Sequence, residues 1–529
     1  MFSPQIPLFP RNLASFSMAL NISGIVASSN EPTFGDNWYA LRNAGHAALV
    51  SIAASSAAVM IGYDMCLFGS ILANAEFVKK FGRYDSSVDA WTLPADWQLV
   101  WTLVQFFCAI SGSFIVGSFS DWLGRRAVFF SIVILALLGT TVELVSPDWK
   151  VWIVAKVIFG IAMGFMLGST PAYVSEVAPV KIRGSMLSLF QFWMIVGVFI
   201  ASCVLEGTSN ITGQWSWKSA IITQYGVGLF SFIFFICFVP ESPYYLADRD
   251  RVDAARAALL RIHGNEANYD VEADLEVILN TLEHERQQKS DQGTWLEIFK
   301  GTDLKRTLIA VLPQAMQQFG GSSLCGNYLA YFLAIAGFSK PFLVTVVTNL
   351  LSIFAVLFAF VLIERLGRRQ ILLGGTAGMV VCLLAVGICG FINYGSKSNG
   401  TALAAFCILW SLFYYASVGA VGWTLTGEIS SARLRAKTSA FSGAMNSVIG
   451  MIFSMSISYL INKENADLGA KAGLVFCGCL TTLGAVAFFM VPETKNRTFE
   501  ELDYLFEAKV APRKFRSTVI DFVARRQSV

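Results

Sequence analysis

The stretch PESPYYLADRDRVDAARAALLRIHGNEANYDVEADLEVILNTLEHERQQKSDQGTWLEIFKGTDLK, residues 240–305, is the only long run in the chain dense in both signs of charge. Its apolar residues, Ala254, Ala258, Leu259 and Ile262, then Leu275, Ile278, Leu279 and Leu282, recur at three- and four-residue steps. That period belongs to short amphipathic helices in water rather than to a membrane span. The stretch separates two apolar halves, and the halves repeat each other. GSFSDWLGRR at 117–126 returns as FVLIERLGRR at 360–369, Glu176 with Arg183 returns as Glu428 with Arg435, and PESP at 240 returns as PETK at 492. Three landmarks recurring in one order at nearly one spacing describe a doubled unit joined by a soluble linker.

Composition sets the class. The 529 residues are 55% hydrophobic and 14% charged, against about 25% charged in a soluble globular protein. Most of the surface must therefore face something other than water. A net charge of +3 spread over short loops excludes a nucleic-acid partner. The 10 cysteines fall mostly inside apolar segments with no CxxC pair, and read as small core residues. The three histidines, His46, His263 and His284, form no metal-spaced cluster, and no nucleophile and base stand together. No enzyme, metal or cofactor is expected.

Apolar runs of about 20 residues, the length that crosses roughly 30 Å of hydrocarbon, lie near 46–72, 97–119, 127–146, 150–174, 185–206 and 219–239. The second half offers 306–336, 341–364, 370–393, 402–427, 438–461 and 471–491. The predicted fold is all-α and polytopic: twelve transmembrane helices in two six-helix bundles, with a short helical linker domain on the cytoplasmic side. The divisions are a tail over 1–45, a bundle over 46–239, the linker over 240–305, a bundle over 306–491 and a tail over 492–529. Leu13–Ala27 after Arg11 faintly resembles a signal sequence, but it carries Ser and Asn and is read as part of a soluble tail. With twelve spans, Arg125, Arg126, Lys181, Arg183, the linker, Arg365, Arg368, Arg369, Arg433, Arg435 and Lys437 all fall on one side, which the positive-inside rule makes cytoplasmic. Possible glycosylation sequons at Asn210 and Asn399 fall on the other side, but others at Asn21 and Asn496 fall inside.

The charged turns carry the next signal. GSFSDWLGRR places Asp121 before Arg125 and Arg126, and ERLGRR places Glu364 before Arg368 and Arg369. Carboxylates and guanidinium groups at helix ends can pair across neighbouring helices. One copy alone would be a solvated, topology-setting loop; two copies at equivalent places point to a cytoplasmic gate. PAYVSEVAPVKIRG adds Glu176 and Arg183, and GEISSARLRA adds Glu428 and Arg435.

These motifs resemble the sugar porter family of the major facilitator superfamily, most of all its fungal maltose or α-glucoside permeases. The resemblance covers about residues 55–505: GxxxDxxGRR at 117–126, PxYxxExxPxxxRG at 171–184, PESP at 240, QQ at 317–318, ERxGRR at 364–369, WxxxxEI at 423–429 and PETKxRTxEE at 492–501. It implies two six-helix bundles rocking about a central sugar site, with cytoplasmic Glu/Arg clusters, Glu241 and Glu493 of the PES and PET motifs among them, closing the inner gate.

The resemblance also gives Asp64, in GYDMCLFGS of the first span, the proton-coupling role. An intramembrane carboxylate costs about 2.5–3.5 kcal/mol on insertion scales, so it needs a cavity or a partner. The expected partner is Lys156, standing where proton-coupled sugar porters carry Arg. Lys lacks the planar fork and, unlike Arg, can lose its proton when buried. Glu143 and Glu206 fall close to span ends, where hydration is easier.

Gln191, Gln317, Gln318, Ser323, Trp423 and Asn446 match the family's sugar contacts in position. Amides offer hydroxyls both donors and acceptors, and an aromatic face packs on a sugar's C–H surface; the competing roles are interhelical amide bonds and lipid-facing packing. Ser323 stands where the family has Asn, Gly326 and Asn327 replace a tyrosine pair, and Ser352 replaces an Asn. These smaller residues point to a wider pocket. The expectation is a sugar:proton symporter, monomeric, in the plasma membrane, for a di- or oligosaccharide or a glycoside, with a hexose as the smaller option. The alternatives are a transporter of a polyol, quinate or another small metabolite, and a sugar receptor that does not transport.

Overall fold

The computed structural model describes residues 45–85, 90–178, 183–208, 211–264, 270–288, 295–327, 329–335, 340–391, 397–430, 434–461, 466, 468–495, 497, 499–516 and 518. Within them, ten helical segments are long and apolar enough to cross a membrane. Six precede the linker: Gly45–Ile71, Asp96–Ser120, Arg125–Val145, Trp149–Pro171, Met186–Thr208 and Trp215–Phe238. Four follow it: Pro341–Ile363, Arg368–Cys389, Gly400–Thr426 and Gly469–Met490. Two further helical stretches complete the twelve-helix arrangement. The seventh span is broken, as Gly301–Phe319, a π-helical turn Ser323–Asn327 and Leu329–Ile335. The eleventh is Arg435–Ile461, with its apolar part confined to Phe441–Ile457.

Each half is held together by close backbone approach, the device left when lipid is as apolar as the side chains. Gly160 and Gly164 of the fourth span lie so near the second that an added Cβ would stand 2.5 Å from the Gln105 carbonyl oxygen and 2.2 Å from that of Ala109. Gly62 and Gly197 do the same between the first and fifth spans. Large apolar side chains such as Phe114, Ile134, Phe354, Phe358, Val381 and Phe489 stay exposed around the outside, as a lipid-facing belt requires. Five cysteines, Cys66, Cys325, Cys382, Cys389 and Cys407, are core residues, but Cys203 and Cys237 lie exposed on that belt.

Among the described residues, three spans are interrupted. The first breaks between Gly45–Ser55 and Ala58–Ile71, where the Ser56 carbonyl accepts from the Val59 N–H at 3.1 Å and from Ser231 of the sixth span at 3.3 Å. The seventh breaks after Gly320, whose carbonyl accepts from Trp410 Nε1 at 2.9 Å. The tenth breaks between Lys397–Ala416 and Val418–Ile429. Interrupted spans are where transporter folds place their binding groups.

The polar middle folds as helices Pro243–Asp248, Val252–His263 and Val271–Gln288. Ala247, Ala255, Leu259, Leu275, Ile278 and Leu282 form their small core. The expected Ala254 is exposed and Ala255 takes its place; Ala255, Ala258, Leu259 and Ile262 make the buried stripe at steps of three and four. One feature departs from an all-helical chain: a two-stranded hairpin pairs Arg83–Asp85 with Ala90–Thr92, Arg83 opposite Thr92, between the first two spans.

Candidate functional site

The charged turns build the same structure twice. In the first half, Glu241 accepts from the backbone N–H of Arg125 (2.8 Å) and Arg126 (3.2 Å). It thereby caps the third span, whose N-terminus favours an anion. In the second half, Glu493 accepts from the N–H of Arg368 (2.9 Å) and Arg369 (3.1 Å) and caps the ninth span. The glycine before each arginine pair is there for two reasons. Gly124 (φ 95°, ψ 161°) and Gly367 (φ 92°, ψ 162°) occupy a region that is essentially closed to other residues. A Cβ on either would also stand 2.6 Å from the capping carboxylate. The PES and PET acids were expected in side-chain clusters with arginines; each instead binds backbone, because a helix start presents unpaired N–H groups close by.

The arginine side chains go elsewhere. Arg368 Nη2 donates to Glu428 Oε1 at 2.8 Å, and Thr494 Oγ1 donates to Glu428 Oε2 at 2.6 Å. Arg125 donates to the Ser120 carbonyl (3.2 Å) and lies over Tyr245 of the linker. Arg126 lies over Phe130, and Arg369 donates to the Phe488 carbonyl at 2.7 Å. The side chains of Asp121, Glu176, Arg183, Glu364 and Arg435 lie outside the described residues. Arg306 was not anticipated. It is buried at the start of the seventh span, where it donates to the Ile429 carbonyl (2.9 Å), pairs with Asp503 and lies over Phe506, tying the helix Phe499–Glu507 to the bundle. Its place in a mixed-charge run concealed it.

Asp64 and Lys156 lie inside the first half, each 1% exposed. Lys156 Nζ is 3.0 Å from Asp64 Oδ1, and Gln105 Nε2 of the second span donates to Asp64 Oδ2 at 2.6 Å. The same ammonium lies 2.8 Å from Glu143 Oε1. Glu143, expected to be hydrated near a span end, is fully buried; the third span continues to Val145, and Glu143 points along its buried face with Val133, Ala136 and Thr140. Gln105 also lines a cleft of ≈ 30 Å³ with Met65, Phe68, Thr102 and Met163, and Ser454 of the eleventh span completes it from the other half.

Four of the candidate sugar contacts, Gln317, Gln318, Ser323 and Trp423, belong to the broken seventh and tenth spans, while Gln191 lies on the fifth and Asn446 on the eleventh. Gln318 is engaged at both ends of its amide: Nε2 donates to Asn446 Oδ1 at 2.7 Å and Oε1 accepts from Ser322 at 3.2 Å. Gln317 Nε2 donates to the carbonyls of Val418 (3.2 Å) and Gly419 (3.4 Å), bracing the seventh span against the tenth. Trp423 packs edge-on against Phe190, the neighbour of buried Gln191, with ring centroids 5.6 Å apart. The Nε1 of Trp423 and the Oγ of fully buried Ser323 have no hydrogen-bond partner among the described residues. Further contacts join the halves: Asn349 Nδ2 donates to Ser202 at 2.7 Å, Ser188 and Thr424 hydroxyls are 3.4 Å apart, and Tyr459 donates to Asp96 at 3.2 Å.

Residues 49–506 match the family model described as "Sugar (and other) transporter". The chain belongs to that family. This sugar-porter-type member of the major facilitator superfamily is 30% identical over 460 residues to the MFS transporter fmqE of Aspergillus fumigatus, covering 86% of this chain and 85% of that one. It is 31% identical over 494 residues to the general alpha-glucoside permease of Saccharomyces cerevisiae, covering 90% and 77%. Its fold is that of the Escherichia coli xylose transporter XylE in a partially occluded inward open conformation, with a TM-score of 0.70 at 19% identity over 86% of this transporter and 100% of XylE. XylE described as a proton:xylose symporter and bound to 6-bromo-6-deoxy-D-glucose gives the same TM-score at 20% identity.

Proposed function

We propose that this transporter carries a neutral sugar together with a proton by alternating access of its two halves. The observation that carries the reading is the buried pair of Asp64 and Lys156, held by Gln105 beside a cleft that the other half completes. Two opposite charges 1% exposed are weak agents of stability, because desolvation offsets most of their attraction. An ionisable group retained inside a membrane domain marks an ion or proton route. A proton entering with each sugar lets the gradients concentrate it: at about 100 mV and about one pH unit the two contributions reach roughly 3.7 kcal/mol, or about 500-fold.

The substrate class is a di- or oligosaccharide or a glycoside, supported by the small side chains at Ser323, Gly326 and Ser352 and by the α-glucoside named for the yeast relative. Gln191, Gln317, Gln318, Ser323, Trp423 and Asn446 supply the contacts, with the unpartnered Ser323 hydroxyl and Trp423 N–H as donors awaiting sugar oxygens. The linker and both tails lie in the cytoplasm, and the Arg and Glu pairs around the two capped turns form the inner gate. The protein works as a monomer in the plasma membrane. Radiolabelled uptake across a panel of hexoses, disaccharides, glycosides, polyols and quinate, in a transport-deficient cell with and without a protonophore, tests the reading. Protonophore-sensitive accumulation of a sugar is expected, and Asp64→Asn should reduce it to equilibration. Accumulation of quinate or a polyol alone would replace the substrate, and uptake indifferent to the protonophore would remove the coupling.

A further inference from the structure

Glu143 is a buried carboxylate for which the proposed transport cycle has no use. It meets the same Lys156 as Asp64 does, so one ammonium is shared by two carboxylates at 2.8 and 3.0 Å, all three at most 1% exposed. Phe68 and Phe159 lie around the ammonium at 4.9 and 5.9 Å from their ring centroids. Two carboxylates and one ammonium sum to a charge of −1, and a net charge sealed from water is among the most costly things a protein can hold. The closed cluster is neutral only with one extra proton.

Hydrogen bonding shows where that proton rests. Asp64 has a donor on each oxygen, Lys156 on one and Gln105 on the other, which is the environment of an ionised carboxylate. Glu143 has the ammonium 2.8 Å from Oε1, but neither of its oxygens accepts a hydrogen bond among the described residues. The elements packed on the third span are the second, fourth and sixth. The charged groups acting on Glu143 are Lys156 and, from the first span, Asp64. The second span brings neutral Gln105, and the sixth brings Gln224, which accepts from Thr140 one turn before Glu143.

We propose that Glu143 is the store for the transported proton, loaded through Lys156 from Asp64. The step conserves protons. Asp64, linked to the cleft through Gln105, takes up an excess proton from the outside solution; Nζ of Lys156 passes one of its protons to Glu143 Oε1 and takes the one on Asp64 Oδ1. Asp64 ends ionised, Lys156 ends as ammonium, and Glu143 ends as a neutral acid. This inference rests on the proton-symport reading, and it gives the lysine a purpose, since a guanidinium could hold both carboxylates but cannot give up a proton.

The test uses the full-length protein in lipid nanodiscs and proteoliposomes. Infrared difference spectra across a pH jump should show the carbonyl stretch of a buried carboxylic acid in the wild type. The band should shift in Glu143→Asp and vanish in Glu143→Gln. A band that keeps its position in Glu143→Asp would assign the proton to another group and overturn the proposal. In proteoliposomes, Glu143→Gln and Lys156→Arg should lower accumulation of radiolabelled maltose or glucose from up to about 500-fold to near unity, with loss of sugar-driven proton entry, while exchange between equal pools persists. Coupled accumulation by either variant would overturn the relay. A wild type that carries maltose or glucose but moves no proton with it would fail the symport reading itself, and the infrared bands would then decide Glu143 alone.

Discussion

Gly124 and Gly367 show how much a single missing side chain can carry. Each holds a backbone conformation open only to glycine and leaves room for the carboxylate that caps the next helix. Gly124→Ala and Gly367→Ala should each destabilise the protein by about 1–3 kcal/mol, seen as a lower melting temperature of the purified protein; an unchanged melt would mean that the turn relaxes at no cost. At the sugar face, Gln318→Ala removes both a partner of Asn446 and a proposed sugar contact. Trp423→Ala removes an aromatic face. One hydrogen bond or stacked ring is worth about 0.5–1.5 kcal/mol. Each variant should therefore weaken the apparent sugar affinity several-fold in an uptake titration, and unaltered affinity in both would put the site on another face of these helices.

Elements in this protein are shaped by what their neighbours allow. The fourth span is continuous from Trp149 to Val177 despite Pro171, and its glycines let it lie against the second span at backbone distance. That contact sets Lys156 opposite Gln105 and Asp64, so the ion cluster depends on it. Gly164→Val should push the two spans apart, since even a Cβ would stand 2.2 Å from the Ala109 oxygen. The expected result is a sharp fall in the monodisperse fraction on size-exclusion chromatography. A well-folded Gly164→Val protein would mean that the spans can separate without loss. The seventh span makes the opposite use of glycine: Gly320 and Gly321 end its first helix one residue after Gln317 and Gln318, whose amides reach the tenth and eleventh spans.

At the scale of the molecule, two bundles of one ancestry meet through the fifth and eighth spans and through the second and eleventh. The linker is tied to the turn between the second and third spans, where Tyr245 and Arg249 donate to the Trp122 carbonyl. The basic loops therefore fix the side on which the linker stands. Ala254 is exposed on the linker, so an Ala254→Cys protein should react with an impermeant thiol reagent only after the cells are permeabilised. Labelling above the wild-type background on intact cells would invert the topology.

The class, the doubling, the number of crossings and the family could all be read from the primary structure. Each rests on composition, period or local motif, which survive without any tertiary contact. Asp64 stood out as an acid in an apolar run, while its partner Lys156 and the amides before the seventh-span break were legible through the family resemblance. What those groups touch comes from the packed fold. That Glu241 and Glu493 cap helices, that Ala255 and not Ala254 enters the linker core, that Gln317 braces a break and that Glu143 closes on Lys156 all depend on helices brought together from distant parts of the chain. A carboxylate near a span end has the same sequence signature whether its helix turns it to water or to the core. The rotation that buries Glu143 is fixed by how the third span packs against the fourth and sixth.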